Sequence, residues 1–269
     1  MLGSIVGDIV GSIYEFANIK TKDFEFFQPE IERTDDSILC IATADWLLHG
    51  GDVSHYYSRY ALEYPYPMGG YGGMFKAWSS KVARQGIHEP YNSCGNGSAM
   101  RIAPVGWAFE TEREVLEAAK VSASCTHNHP EGIKGAQATA LCIFLARQGH
   151  TASDIRARIE RDFGYDLSMS VKELQRRYSW QGIDGKGDGG ICQDSVPQAI
   201  ICALQAKDFE DAIRNAISIG GDSDTIGCIA GGIAEALYGI PEPIKEQAWT
   251  YLDETECCTV RSFIQKYSI

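Results

Sequence analysis

Apolar residues recur along this chain at a helical period. In residues 2–16 they fall at Leu2, Ile5, Val6, Ile9, Val10 and Ile13, which share one helix face. The same period marks 37–49, 54–63, 112–124, 131–148, 152–162, 196–206, 209–218, 225–238 and 242–252. The alternation of period two that marks a strand is nearly absent. Glycine-rich joints interrupt the pattern at 69–73, 95–97, 185–190 and 220–221. No Pro/Ser-rich linker divides the chain and no fixed repeat recurs. The pattern predicts an all-α fold, a compact helical bundle with residues 1–269 as a single domain.

Several of these segments carry polar residues that a plain bundle does not need. Ser4, Asp8, Ser12 and Glu15 follow one another at steps of four, four and three, so they share a face of the first helix. Gly3, Gly7 and Gly11 repeat every four residues beside them. An exposed polar face would account for the stripe, but glycines weaken a solvent-facing helix. A buried helix with a functional stripe is the better reading. Asp8 reads as structural and Glu15 as the residue that reaches a cleft.

Thr34-Asp35-Asp36-Ser37 precedes another apolar run, and Thr34 suits an N-cap with acids in the first turn. Gly220-Gly221-Asp222-Ser223-Asp224-Thr225 precedes a run without charge until Glu235. A helix that apolar is buried, so its acidic start is internal and needs partners. No Arg or Lys lies nearby in sequence. Asp35, Asp36, Asp222 and Asp224, with the hydroxyls of Thr34 and Thr225, would be neutralised by two divalent cations. All-oxygen ligands point to Mg²⁺, Mn²⁺ or Ca²⁺, not to zinc or copper.

Composition narrows the class. Acids outnumber bases 36 to 24, a net charge of −12. Nucleic-acid binders carry the opposite balance, so nucleic acid is expected only as a modified substrate. No stretch approaches the roughly 20 apolar residues of a membrane span. The apolar N-terminus lacks a basic flank and is interrupted by Asp8 and Glu15, unlike a signal peptide. Nine cysteines without a CxxC pair fit reduced thiols and a cytoplasmic location.

Two loops complete the candidate site. Gly95-Asn96-Gly97-Ser98 leads into a helix or tight turn, where backbone amides can meet an anion. Thr126-His127-Asn128-His129 precedes Pro130, which suits the first position of the next helix.

Taken in order, GDIVGSIYE (7–15), TDDS (34–37), GGYGGMF (69–75), GNGSAMR (95–101), TH (126–127), DSVPQA (194–199) and GGDSDTIGCIAGGIAEALYG (220–239) resemble the ADP-ribosylglycohydrolase family. That family includes dinitrogenase-reductase-activating glycohydrolases and hydrolases of ADP-ribosylarginine and ADP-ribosylserine. The resemblance implies an orthogonal all-α bundle around a central dinuclear metal cleft. It implies a magnesium-dependent hydrolase with two Mg²⁺, or Mn²⁺, held by Thr34, Asp35, Asp36, Asp222, Asp224 and Thr225. Glu15 falls beside the scissile bond as the catalytic group, with Asp36 and Asp224 as alternates. Ser93, Gly95, Asn96, Gly97 and Ser98 fall on the pyrophosphate loop, His127 on a substrate contact, and Tyr71 and Gly72 on the cleft wall. The implied substrate is an ADP-ribosylated protein or a small ADP-ribose conjugate, arginine-linked in preference to serine-linked, and the product is ADP-ribose. Two rival readings are another two-metal hydrolase and a family member that only binds ADP-ribose or serves a structural role. Cys94 inside the phosphate loop departs from the family pattern. Residues 161–190 match no family motif and are expected to shape the cleft rim.

Overall fold

The computed structural model describes residues 1–269 as fifteen α-helices with two short 3₁₀ turns and no sheet. In the first half of the chain lie α1 (Leu2–Gly11), α2 (Asp35–His49), α3 (Val53–Glu63), α4 (Gly73–Gln85), α5 (Gly97–Met100), α6 (Ala103–Ala108) and α7 (Glu112–Ser124). Then follow α8 (Pro130–Arg147), α9 (Ala152–Phe163), α10 (Val171–Arg177) and α11 (Cys192–Leu204). The chain closes with α12 (Phe209–Ser218), α13 (Ser223–Tyr238), α14 (Glu242–Trp249) and α15 (Glu254–Tyr267).

Local side-chain chemistry starts many of these helices. The Thr34 hydroxyl accepts from the Asp36 N–H at the start of α2. Pro130 opens α8, with His129 as its cap. Capping boxes open α7, α9, α10 and α15 at Thr111, Thr151, Ser170 and Asp253.

The centre of the molecule is the pair α1 and α13, both buried along nearly their whole length. Their backbones pack directly on each other. A Cβ added at Gly7 would lie 1.9 Å from the Gly227 carbonyl oxygen, and one at Gly231 would lie 2.1 Å from that of Gly3. The every-fourth glycines therefore serve a helix–helix contact, and α13 is as buried as its lack of charge implies. Around this pair 71 buried apolar residues form one continuous core.

The structure also departs from the periodicity. The α-helix expected through residue 16 ends at Gly11 and tightens to a 3₁₀ turn over Ser12–Tyr14, so Glu15 leaves the helical face. The stripe of four is accordingly divided: Ser4, Asp8 and Ser12 are buried and only Glu15 reaches the cavity. Helix α11 begins four residues before the expected 196 and carries Pro197 inside it. Helices α4, α6, α10 and α15 had no counterpart in the pattern. For α10 and α15 the signal was present as Ser170…Glu173 and Asp253…Glu256, both S/T/D-x-x-E starts.

Candidate active site

The starts of α2, α4, α5 and α13 converge on one cavity of about 570 Å³, within the range of small-molecule sites. Its floor is acidic: Glu15, Asp35, Asp36, Asp222 and Asp224 all line it, together with Thr225.

Each acid is held by its own local device. Asp8, fully buried in α1, accepts from the backbone N–H groups of Thr34 and Ser37, each at 3.0 Å, and from both their hydroxyls. These four bonds pin the first turn of α2 against α1 and so aim Asp35 and Asp36. At α13 the Asn96 amide donates to Asp222 Oδ2 at 2.7 Å, and Asp224 Oδ1 accepts the Thr225 N–H at 2.9 Å. Carboxylate oxygens of Glu15, Asp222 and Asp224 lie within 4.8 Å of one another. Trp180 Nε1 donates to the Glu15 carbonyl at 2.8 Å, so the segment after α10 fixes the turn that carries Glu15. Gly69 covers the other side, where an added Cβ would meet Glu15 Oε2 at 2.9 Å.

The remaining wall is formed by loops and aromatic side chains. Tyr71, Gly72, Ser93, Gly95, Asn96, Gly97 and His127, all candidates from the sequence, line the cavity. Met74, Phe75, Tyr91, Met100, Arg101 and Gly190 join them. Tyr91 approaches His127 edge-on at 5.7 Å between ring centroids. The His127 ring packs on the glycine loop, with Nε2 3.1 Å from where a Gly97 Cβ would sit. Thr126 Oγ1 lies 2.8 Å from its Nδ1.

Three candidates sit differently from expectation. Thr34 is buried behind the cavity, its hydroxyl donating to Asp8 at 2.6 Å. Ser98 is also behind the wall, donating to the Gly132 carbonyl at 2.7 Å. The Asn96 N–H is already given to the Gly190 carbonyl at 3.0 Å, so it is not a free donor for a phosphate. Sequence spacing cannot reveal this, because Gly190 lies 94 positions away (190 less 96). Asn96 instead acts on Asp222 through its side chain. Of residues 161–190, Gly190 lines the cavity, and Asp194 Oδ2 accepts the Asp188 N–H at 3.0 Å to close its loop.

The electrostatics are one-sided. Burial first, then the charges of Asp224 and Asp8, push the Glu15 carboxyl from its ordinary 4.5 up to about 8. Burial raises Asp222 to about 6 against the opposing Asn96 bond. Asp35, Asp36 and Asp224 are driven well above the ordinary range by burial and by the neighbouring carboxylates. His127 is held well below its usual value by burial and by the Arg101 charge, so it stays neutral.

Asp36 Oδ2 is buried without any hydrogen-bond partner, and no Lys or Arg pairs with these acids. Such a set is costly unless a cation shares it. The donors are oxygen atoms only, which suits a hard divalent ion, so the residues fit a metal site.

Comparison with known proteins decides the family. The ADP-ribosylglycohydrolase profile matches residues 1–266. The chain belongs to the ADP-ribosylglycohydrolase family. Among relatives of this glycohydrolase, human ADP-ribosylhydrolase ARH3 is 29% identical, covering 95% of the chain and 89% of the relative. The ADP-ribosylarginine hydrolase Tri1 of Pseudomonas putida (strain GB-1) is 26% identical, covering 93% and 73%. An ADP-ribosylglycohydrolase-related protein complex shares the fold, with a TM-score of 0.68 at 23% identity over 100% of the chain and 97% of the solved chain. No helix of this family member is long and apolar enough to cross a membrane.

Proposed function

We propose that the chain is a metal-dependent (ADP-ribosyl)hydrolase that cleaves the glycosidic bond between C1″ of ADP-ribose and a modified acceptor, releasing ADP-ribose. The observation that carries this reading is the unneutralised set of Glu15, Asp35, Asp36, Asp222 and Asp224 facing one cavity with the glycine loop and His127 on its wall. Asp35, Asp36, Asp222, Asp224 and Thr225 would hold two Mg²⁺ or Mn²⁺ ions, with Thr34 contributing only if its hydroxyl turns from Asp8. Such ions supply Lewis-acid polarisation of oxygen groups and lower the pKa of water.

The chain's own residues do the rest. In the reaction the C1″–acceptor bond breaks, a water oxygen bonds to C1″, and the acceptor leaves with a proton. Glu15 takes the proton of the attacking water, and Asp36 and Asp224 are the alternates for that part. The carboxylates around C1″ stabilise the developing oxocarbenium charge. The loop Ser93–Gly97 and neutral His127 bind the pyrophosphate and adjoining ribose. With the Asn96 N–H spent on Gly190 and the Gly95 N–H on the Ser93 hydroxyl, the Gly97 amide is offered to the anion. Tyr71 and Gly72 line the substrate cleft. Nine unpaired cysteines, five of them buried, support a reducing compartment such as the cytoplasm.

The test is a panel of defined ADP-ribosylated substrates with Mg²⁺, beginning with the arginine linkage that the name of the Pseudomonas relative carries and followed by serine. Free ADP-ribose is the expected product, and its release stops with excess EDTA and returns with Mg²⁺. Inorganic phosphate in its place, or full turnover after verified metal removal, overturns the reading.

A further inference from the structure

A second cluster lies away from the acidic cavity, where the start of α3 meets the segment after α4. Asp52 caps α3, His55 lies in its first turn, and His88 arrives from 33 residues further on (88 less 55). Their side chains converge. His88 Nδ1 is 3.3 Å from Asp52 Oδ2 and His55 Nε2 is 3.9 Å from the same oxygen. The two imidazole rings lie 4.7 Å apart between centroids. One ligand atom from each residue falls within 4.8 Å of the others. Ligands of a tetrahedral zinc at Zn–N and Zn–O distances of about 2.0–2.1 Å stand roughly 3.4 Å apart. The cluster is therefore close to that spacing without backbone movement.

The carboxylate is also prepared for this use. Asp52 Oδ1 accepts the Ser54 N–H at 2.9 Å and the Ser54 hydroxyl at 2.7 Å, which fixes the group and leaves Oδ2 turned to the rings. A metal-binding carboxylate held by outer-shell hydrogen bonds is the usual support of such sites. Two imidazole nitrogens and one oxygen differ in kind from the all-oxygen set in the cavity. They select a borderline transition cation, where the cavity selects a hard one.

We infer that Asp52, His55 and His88 form a surface site for a zinc-type divalent cation, distinct from the acidic cavity. The ion would take the Oδ2 of Asp52, Nε2 of His55 and Nδ1 of His88, displacing the Ser54 hydroxyl that contacts this nitrogen in the metal-free chain. Solvent supplies the fourth position, because Asp52 and His55 side chains are 54% and 66% exposed. The bound ion would staple α3 to the stretch that runs through Tyr91 and Ser93 into the glycine loop.

The experiment titrates chelator-stripped full-length chain with ZnCl₂ by calorimetry, in excess Mg²⁺ so that hard-ion sites are filled. One zinc equivalent is expected to bind, and to persist in Asp224→Asn. His55→Ala and His88→Ala should each weaken it by more than the roughly 10–100-fold that loss of an outer-shell partner costs. His55 is exposed on its helix and His88 half-buried in its loop, and retention of the parent circular dichroism spectrum identifies variants that still fold. Zinc binding that is unchanged in both histidine variants, or abolished only by Asp224→Asn, overturns the site. So does a parent chain that binds no zinc in excess Mg²⁺.

Discussion

Glu15 and Asp8 occupy one short stretch of chain and do opposite things with a buried negative charge. Asp8 is saturated by four donors from the start of α2. Glu15 makes no side-chain hydrogen bond and faces other acids, so its carboxyl is raised to about 8. A carboxylate without donors, beside a cavity, is free to exchange a proton. Glu15→Gln keeps the shape and removes the proton acceptor. Steady-state kinetics at saturating Mg²⁺ should show kcat and kcat/KM falling together by about 100-fold or more, the range of a lost general base. ADP-ribose affinity measured by calorimetry should stay near that of the parent. Turnover equal to the parent would pass the role to Asp36 or Asp224.

At the scale of elements, the site depends on how closely α1 and α13 approach. Asp8 reaches the start of α2 from α1, while Asp222 and Asp224 open α13. The distance between those acids is therefore set by backbone contact at Gly3, Gly7, Gly227 and Gly231. A methyl at Gly7 meets backbone, which cannot rotate aside as a side chain can. Gly7→Ala gains about 1 kcal/mol of helix propensity. The overpacking it forces costs about 1–3 kcal/mol or more, so net destabilisation is expected. Urea denaturation should show a lower midpoint with an unchanged slope, and affinity for Mg²⁺ should fall with it because α13 is pushed from α1. Unchanged stability would mean that the two helices part at no cost and that their contact does not set the site.

At the scale of the molecule, one cavity concentrates acids that a single core encloses. Between the ordinary carboxylate range and the raised values, the folded chain holds protons that the unfolded chain has lost. Glu15 spans 4.5 to about 8 and Asp222 spans 3.8 to about 6. By linkage, the stability of the metal-free chain falls as pH rises through that window. Divalent cations remove the cause, so saturating Mg²⁺ should flatten the dependence and raise Tm most at the alkaline end. Thermal melts from pH 5 to pH 8, with EDTA and with Mg²⁺, check both slopes. A metal-free Tm that rises across this range would contradict the raised carboxyls.

The chain alone determines the helical class, the burial of α13 and the acidic helix starts. Each follows from neighbours in sequence: period 3.6, absence of charge and capping chemistry. Motif order identifies the family for the same reason, since the motifs are local strings. Tertiary structure decided which of those polar atoms face the cavity. The Asn96 N–H is spent on Gly190, the Thr34 hydroxyl on Asp8 and the Ser98 hydroxyl on Gly132. Glu15 leaves its helical stripe at the 3₁₀ turn and is anchored by Trp180, 165 residues away. A hydrogen-bonding group has a small number of partners to give. Whether it gives them to a ligand or to distant backbone depends on contacts that no local pattern encodes.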